Sequence, residues 1–128
     1  MKAMRHARTG HIVMFPVSKR LVPWRKLIQS AANLVWRMPP TKGSVEVHAL
    51  FILPEPKWFY GPKGRRDNAP CDPTGQRTGD IDKYLRAVLD SLTGVVYEDD
   101  SQVVCVVGRK VYSSRDKAVP GAEIQIVY

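Results

Sequence analysis

Two consecutive prolines, Pro39 and Pro40, separate a helical pattern from an extended pattern in the first half of the chain. Before them, apolar residues recur at helical spacing over residues 18–38, and Ser18 is a suitable N-cap. Proline disfavours helical geometry in the residue that precedes it, so the pair ends this helix. After them, residues 44–53 (SVEVHALFIL) alternate, which predicts a strand with one buried face.

The first predicted helix has an apolar stripe that we expect to be buried. Its members are Leu21, Trp24, Leu27, Ile28, Ala31, Leu34, Val35 and Met38. Trp24 and Trp36 are expected to pack in the core rather than to stack on a base. Ahead of this helix, an apolar run that ends before Pro16 predicts a short strand.

The second half of the chain predicts another helix and two strands. Apolar residues between Ile81 and Leu92 have helical spacing, and Gly94 stands where a left-handed cap would end the helix. The segments QVVCVVGRKVY and AEIQIVY are typical of strands, and Pro120 and Gly121 between them predict an antiparallel hairpin. The whole pattern predicts a single α+β domain over residues 1–128, in which a small mixed or antiparallel sheet packs with two helices.

Residues 54–79 show neither the helical spacing nor the strand alternation of apolar residues. This segment contains five of the ten prolines, four of the nine glycines and the pair Arg65-Arg66. Connections of this length are uncommon in compact domains and are often functional. We interpret the segment as a long basic loop that contacts substrate, and a disordered insertion is the alternative.

The charge is unevenly distributed along the sequence. The chain carries 20 Lys or Arg and 12 Asp or Glu, a net charge of +8 that favours an anionic partner. Residues 1–70 hold thirteen bases against three acids, whereas residues 71–128 hold seven bases against nine acids. The candidate contacts to the phosphates of such a partner are Arg5, Arg8, Lys19, Arg20, Lys63, Arg65 and Arg66.

The sequence has neither a run of 18 apolar residues nor the apolar core of a signal peptide. We therefore expect a cytoplasmic protein that does not bind membranes and needs no organic cofactor. Cys71 and Cys105 are expected to be reduced structural thiols. A zinc site is not expected, because no pairing of these cysteines with the three histidines, His6, His11 and His48, has ligand spacing.

Four aspartates flank the second predicted helix. Asp80 and Asp82 converge if the backbone is extended there, and a helix N-terminus favours their negative charge. Asp99 and Asp100 follow the helix, and the connecting residues are long enough to return them to its start. Carboxylates drawn together need a cation, and hard oxygen ligands suit Mg²⁺, with Mn²⁺ as a substitute. Such a site predicts phosphodiester hydrolysis; alternatively, Asp80 caps the helix and Asp99 and Asp100 fill a turn.

The string DID, KYLRAVLDSL, VYEDDSQVV between Asp80 and Val104 resembles the signature of the RusA family of Holliday junction resolvases. This resemblance implies a small α+β homodimer that binds four-way DNA junctions and nicks two strands of like polarity, using Mg²⁺ held by acidic residues. It implies that Asp80, Asp82 and Asp100 are the essential aspartates. Asp99 matches the acidic neighbour of the last one and is a further candidate metal ligand.

Two positions and the N-terminal segment depart from the family pattern. Arg86 stands where a catalytic or DNA-contacting Lys is common, and an Arg stabilises phosphate charge but does not transfer a proton. Lys83 stands where Asn is common, and either contacts phosphate or is a solvated lysine of the first turn. Family members usually begin with an apolar strand and a G-x-P segment, ahead of a basic stretch. This sequence starts almost directly at the basic stretch, so we expect this domain to lack that strand.

Two other functions are compatible with these residues. One is a DNA-binding module without catalysis, in which the aspartates are caps and turns. The other is a Mg²⁺ nuclease for other branched DNA. A small recombination nuclease of this kind is typical of a bacterial or phage-infected cell.

Overall fold

The computed structural model describes residues 9–14, 21–113 and 120–128. The helices are α1 (Leu21–Val35) and α2 (Ile81–Leu92), and the strands are β1 (Thr9–Met14), β2 (Val45–Leu53), β3 (Tyr60–Gly61), β4 (Gly64–Arg65), β5 (Val103–Tyr112) and β6 (Gly121–Val127). Four strands form a mixed sheet in the order β1-β6-β2-β5, and β3 pairs with β4. The predicted α+β class is confirmed.

The predicted hairpin between the last two strands is wrong. β2 lies between β5 and β6, parallel to the first and antiparallel to the second. A parallel pair needs a long crossover connection, and the chain between β2 and β5 supplies it with residues 54–79 and α2. Apolar alternation identifies a strand but does not specify which strand it pairs with. The sequence pattern therefore fits the hairpin and the observed strand order equally well.

Both helices pack on the same face of the sheet. The buried core contains Trp24 and Ile28 from α1, Ala87, Val88 and Leu92 from α2, Val47, Ala49 and Phe51 from β2, and Ile124 and Ile126 from β6. Trp24 contacts Phe51 and Tyr84, with ring centroids 5.8 and 5.5 Å apart. These three aromatic rings join α1, β2 and α2.

The predicted apolar stripe of α1 is only partly buried. The buried residues after Trp24 and Ile28 are Ala32 and Trp36, at a strict four-residue interval. Leu34, by contrast, is 69% exposed, and Leu27, Val35 and Met38 are also exposed. The helix ends at Val35 rather than Met38, and the predicted N-cap Ser18 lies outside the described residues.

Residues 54–79 are folded, which excludes a disordered insertion. Phe59 and Ala69 are buried and form a second small core with Leu53 and Tyr112 at the ends of β2 and β5. The segment also contains the β3–β4 ribbon and two 3₁₀ turns. This second core anchors the segment to the end of the sheet at which β2 and β5 finish.

Two further features of the described part of the chain concern its cysteines and its helices. Cys71 and Cys105 are both free thiols. Neither described helix is long and apolar enough to cross a membrane.

Candidate active site

The backbone is extended at Asp80 but helical from Ile81, where α2 begins, so the extended geometry expected between Asp80 and Asp82 is present only at Asp80. Asp80 is the N-cap residue, with φ −93° and ψ 131°, and Asp82 lies in the first turn. Gly79 before them has φ +82°, and a Cβ there would lie 2.5 Å from the Tyr84 hydroxyl oxygen. Only glycine meets both conditions without strain, so Gly79 fixes the direction from which Asp80 enters the helix.

Lys110 on β5 positions the residues that lead into α2. Its Nζ donates to the carbonyl oxygen of Gly79 at 2.8 Å and to Oγ1 of Thr78 at 3.1 Å. The hydroxyl of Tyr84 donates to the carbonyl oxygen of Thr78 at 2.6 Å. Burial, and to a lesser extent the charge of Asp80, raise the pKa of Tyr84, so this hydroxyl stays protonated as a donor.

We expect Lys110→Met to loosen the start of α2. Hydrogen bonds to a charged donor contribute about 1.5–3 kcal/mol, so amide exchange in residues 79–84 should accelerate by roughly tenfold to a hundredfold. Hydrogen-exchange mass spectrometry would measure this. Lys26→Met on the exposed surface of α1 is the control, and equal acceleration in the two variants would contradict a positioning role for Lys110.

Arg86 links α2 to the acidic turn that follows it. Arg86 lies four residues after Asp82, on the same helix face. Its Nη1 is 3.3 Å from Oδ2 of Asp100, and its Nε is 3.9 Å from Oδ1 of Asp90. The helix that carries Asp82 and the 3₁₀ turn that carries Asp100 are therefore joined through one guanidinium.

Asp99 has the capping role that the alternative interpretation anticipated. It is the N-cap of the 3₁₀ turn Asp100–Gln102, and its Oδ1 accepts from the backbone N–H of Ser101 at 2.9 Å. Hydrogen bonds from the backbone N–H and the hydroxyl of Ser101 lower the pKa of Asp99. Its contribution to stability is therefore present near neutral pH and is lost as the pH falls through this lowered value.

The Gln102 side chain fastens the same turn to the sheet. Its Nε2 donates to the carbonyl oxygens of Thr41 and Gly43, at 2.8 and 2.9 Å, just before β2. Its Oε1 accepts from the backbone N–H groups of Glu98 and Asp99. Asp100 is thus held at a fixed place, with its carboxylate 3.3 Å from Arg86 Nη1. Asp80, although an N-cap residue, makes no side-chain capping hydrogen bond within the described residues.

The four aspartates offer the hard oxygen donors that Mg²⁺ prefers. Within the described side chains, no three of them bring carboxylate oxygens within 4.8 Å of one another. Protein-bound Mg²⁺ commonly takes one or two carboxylates and keeps several waters, so a complete cage is not required. The donor set therefore fits a hydrated Mg²⁺ ion.

The predicted DNA contacts differ in their surroundings. Lys63 and Arg66 are exposed beside the β3–β4 ribbon. Lys83 Nζ lies 3.5 Å from Asp80 Oδ2, and both side chains are 67% exposed. The remaining residues of the N-terminal basic group lie outside the described residues; they are Arg5, Arg8, Lys19 and Arg20.

Arg65 is committed to contacts inside its own loop. Its Nε lies 3.1 Å from Glu55 Oε2. Its terminal nitrogens donate to the carbonyl oxygens of Ala69 and Pro70 at 3.1 and 2.6 Å. The guanidinium carbon also lies 5.2 Å from the centroid of the Phe59 ring. These contacts hold residues 54–70 together.

Trp58 is a candidate contact residue that the sequence analysis missed. Its side chain is 52% exposed, in the same loop as Lys63 and Arg66. Exposed aromatic rings that lie among basic residues are suited to stacking on nucleobases. The signal was present in KWFYGPKGRR, where aromatic and basic residues are interleaved.

Carboxylates at a helix start and on an adjoining turn, beside exposed bases, are typical of metal-dependent nucleases. The family model described as endodeoxyribonuclease RusA matches residues 2–127. The chain belongs to the RusA endodeoxyribonuclease family, as the DID and EDDSQVV segments predicted.

A curated relative matches part of the chain. It is the uncharacterized protein YqaN of Bacillus subtilis (strain 168), which is 32% identical over 87 residues. The match includes 66% of this chain and spans 57% of the length of YqaN.

Proposed function

We propose that this protein is a Mg²⁺-dependent endonuclease that binds four-way DNA junctions and resolves them by paired nicks in recombination and repair. Membership of the RusA family supports the class of reaction. The observation that carries the proposal is the contact between Arg86 and Asp100, which joins the middle of α2 to the acidic turn. Candidate catalytic side chains that are 14 residues apart in sequence are thereby adjacent in space.

Asp80, Asp82 and Asp100 would hold the metal, with Asp99 fixing the turn behind Asp100. When bound, Mg²⁺ polarises the phosphoryl oxygen, activates water and neutralises charge on the leaving oxygen. The guanidinium of Arg86 remains charged, so it stabilises negative charge on the phosphate and does not serve as a base. Its side chain is 63% exposed, which leaves it accessible to a DNA backbone.

Junction binding is proposed to depend on the exposed bases of residues 54–79. Lys63 and Arg66 contact phosphate, and Trp58 stacks on a base that the branch point exposes. Arg65 contributes by holding the loop in shape through its bonds to Glu55 and neighbouring carbonyls.

The affinity for a junction is expected to fall steeply with salt concentration, because each neutralised phosphate releases counterions. Replacing Lys63 and Arg66 together by Ala should reduce the slope of log K against log salt by about two. Fluorescence anisotropy at several salt concentrations measures this slope. Arg37→Ala removes a base outside the proposed interface, and an equal effect of that change would contradict a specific role for the loop.

We further propose that the active species is a homodimer formed through β5. β5 is an edge of the sheet among the described strands, and Val104 there is 68% exposed. A long apolar edge without protection invites pairing with another strand. A two-fold dimer also matches the approximate two-fold symmetry of a junction.

Val104→Lys is expected to convert the dimer to a monomer, because a charge would be buried at the paired edge. Light scattering coupled to size-exclusion chromatography measures the mass. Leu34→Lys tests the exposed apolar surface of α1 in the same way. A dimer that survives Val104→Lys and is lost in Leu34→Lys would assign the interface to α1 instead.

The function is tested with a synthetic four-way junction and a matched linear duplex, each incubated with Mg²⁺, Mn²⁺ or EDTA. Metal-dependent paired nicking of the junction alone is the expected result. Junction binding without cleavage under all conditions would favour a non-catalytic DNA-binding module. Cleavage of a flap or three-way substrate in preference to the junction would favour a nuclease for other branched DNA.

A further inference from the structure

Three side chains of ligand type meet on the sheet face opposite the helices. Val47 and Ala49 on β2 are buried against the helices, so Glu46 and His48 point to the other face. Cys105 on β5 is the register partner of Glu46. One ligand atom from each of these three side chains lies within 4.8 Å of the other two.

We propose that Glu46, His48 and Cys105 bind Zn²⁺ at a second metal site. Thiolate, imidazole and carboxylate together are a ligand set for zinc, whereas Mg²⁺ takes oxygen ligands. This site is separate from Asp80 and Asp82, because α2, which begins at these residues, packs on the opposite face of the sheet.

The distance between Glu46 and His48 is compatible with tetrahedral coordination. Zinc bonds of about 2.0–2.3 Å separate neighbouring ligand atoms by roughly 3.3–3.8 Å. Oε1 of Glu46 is 3.8 Å from Nε2 of His48, so a small side-chain rotation brings both atoms to bonding distance. Both residues are fixed on one strand, and β5 is held to that strand by its parallel ladder.

One of the three proposed ligands lacks a hydrogen-bond partner. Nε2 of His48 is buried and has no such partner among the described residues. A zinc ion bound at this site would supply that partner.

The three-residue site leaves a fourth tetrahedral position for water. His48 also lines a shallow depression of about 290 Å³, together with Leu50, Val107, Arg109, Glu123 and Gln125. Spacing along the sequence could not reveal the site, because the parallel pairing of β2 with β5 alone brings Cys105 beside Glu46.

Cobalt substitution tests the proposal, because tetrahedral Co²⁺ reports its ligands spectroscopically. We expect one Co²⁺ per chain, with visible d–d bands and a thiolate-to-cobalt charge-transfer band, and displacement of Co²⁺ by Zn²⁺ but not by Mg²⁺. Cys105→Ser should remove the charge-transfer band, and His48→Gln should weaken binding by at least about tenfold. Circular dichroism of the metal-free variants verifies that they are folded.

Two controls separate this site from other thiols and from the nuclease centre. Cys71→Ser removes the exposed second thiol, and Asp82→Asn changes the proposed Mg²⁺ site; both should retain the cobalt spectrum. Absence of the band in the unmodified protein, or its persistence in Cys105→Ser, would overturn the proposal. Because no DNA is used, the result is independent of whether the protein cleaves junctions.

Discussion

Asp82→Asn is expected to reduce junction nicking by at least about a hundredfold while leaving junction affinity nearly unchanged. The substitution keeps the size of the side chain and removes the negative charge that would hold Mg²⁺ in the first turn of α2. Asp82 is exposed, so its loss creates no cavity and leaves the fold intact. The whole effect should therefore fall on the chemical step.

The measurement is single-turnover cleavage of a labelled four-way junction, with anisotropy on the same DNA in EDTA for binding. Glu123→Gln makes the same chemical change on the opposite face of the sheet and should cleave at the wild-type rate. Full activity of Asp82→Asn would remove Asp82 from the metal site. A parallel loss of affinity would instead indicate that Asp82 supports DNA binding.

Trp24→Ala is expected to destabilise the fold by about 3–4 kcal/mol. Trp24 is completely buried and contacts Phe51 and Tyr84, so its removal opens a cavity where α1, β2 and α2 meet. Buried aromatic-to-Ala changes typically cost about 3–5 kcal/mol. The indole N–H has no hydrogen-bond partner among the described residues, so its removal offsets part of the cost.

Thermal and urea unfolding followed by circular dichroism measure this effect, and the midpoint should fall by roughly 10–20 °C. Trp58→Ala is the matched control, since that indole is half exposed and its removal leaves the main core unchanged. A loss of stability in Trp24→Ala no greater than in Trp58→Ala would show that the aromatic cluster does not hold α2 against the sheet.

Short-range chemistry explains which elements could be predicted. The alternation over β2 and the apolar spacing of α2 each reflect one face packed on a single core, so both were predicted within a residue or two. The α1 stripe was only half right, because Leu34 and Val35 fit the spacing but point away from the core. The spacing restricts which helix face is buried, whereas the crossing of α1 over the sheet selects it.

The candidate site divides in the same way. The order of Asp80, Asp82, Arg86 and Asp100 along the string was sufficient to indicate the family, which the family model confirms. The contacts that position these residues could not be predicted in this way. The hydrogen bond between Lys110 and Gly79, for example, joins residues 31 positions apart, so no local pattern in the sequence indicates it.

Local patterns were enough to predict the helices, most strands, the family and the chemical type of the acidic residues, because each depends on neighbours within a few positions of the chain. The folded structure alone shows that β2 separates β5 from β6, that Arg86 reaches Asp100, and that Cys105 lies beside Glu46. These are contacts between distant segments, and many pairings bury similar apolar area. The balance among those pairings is set by the packing of the whole core.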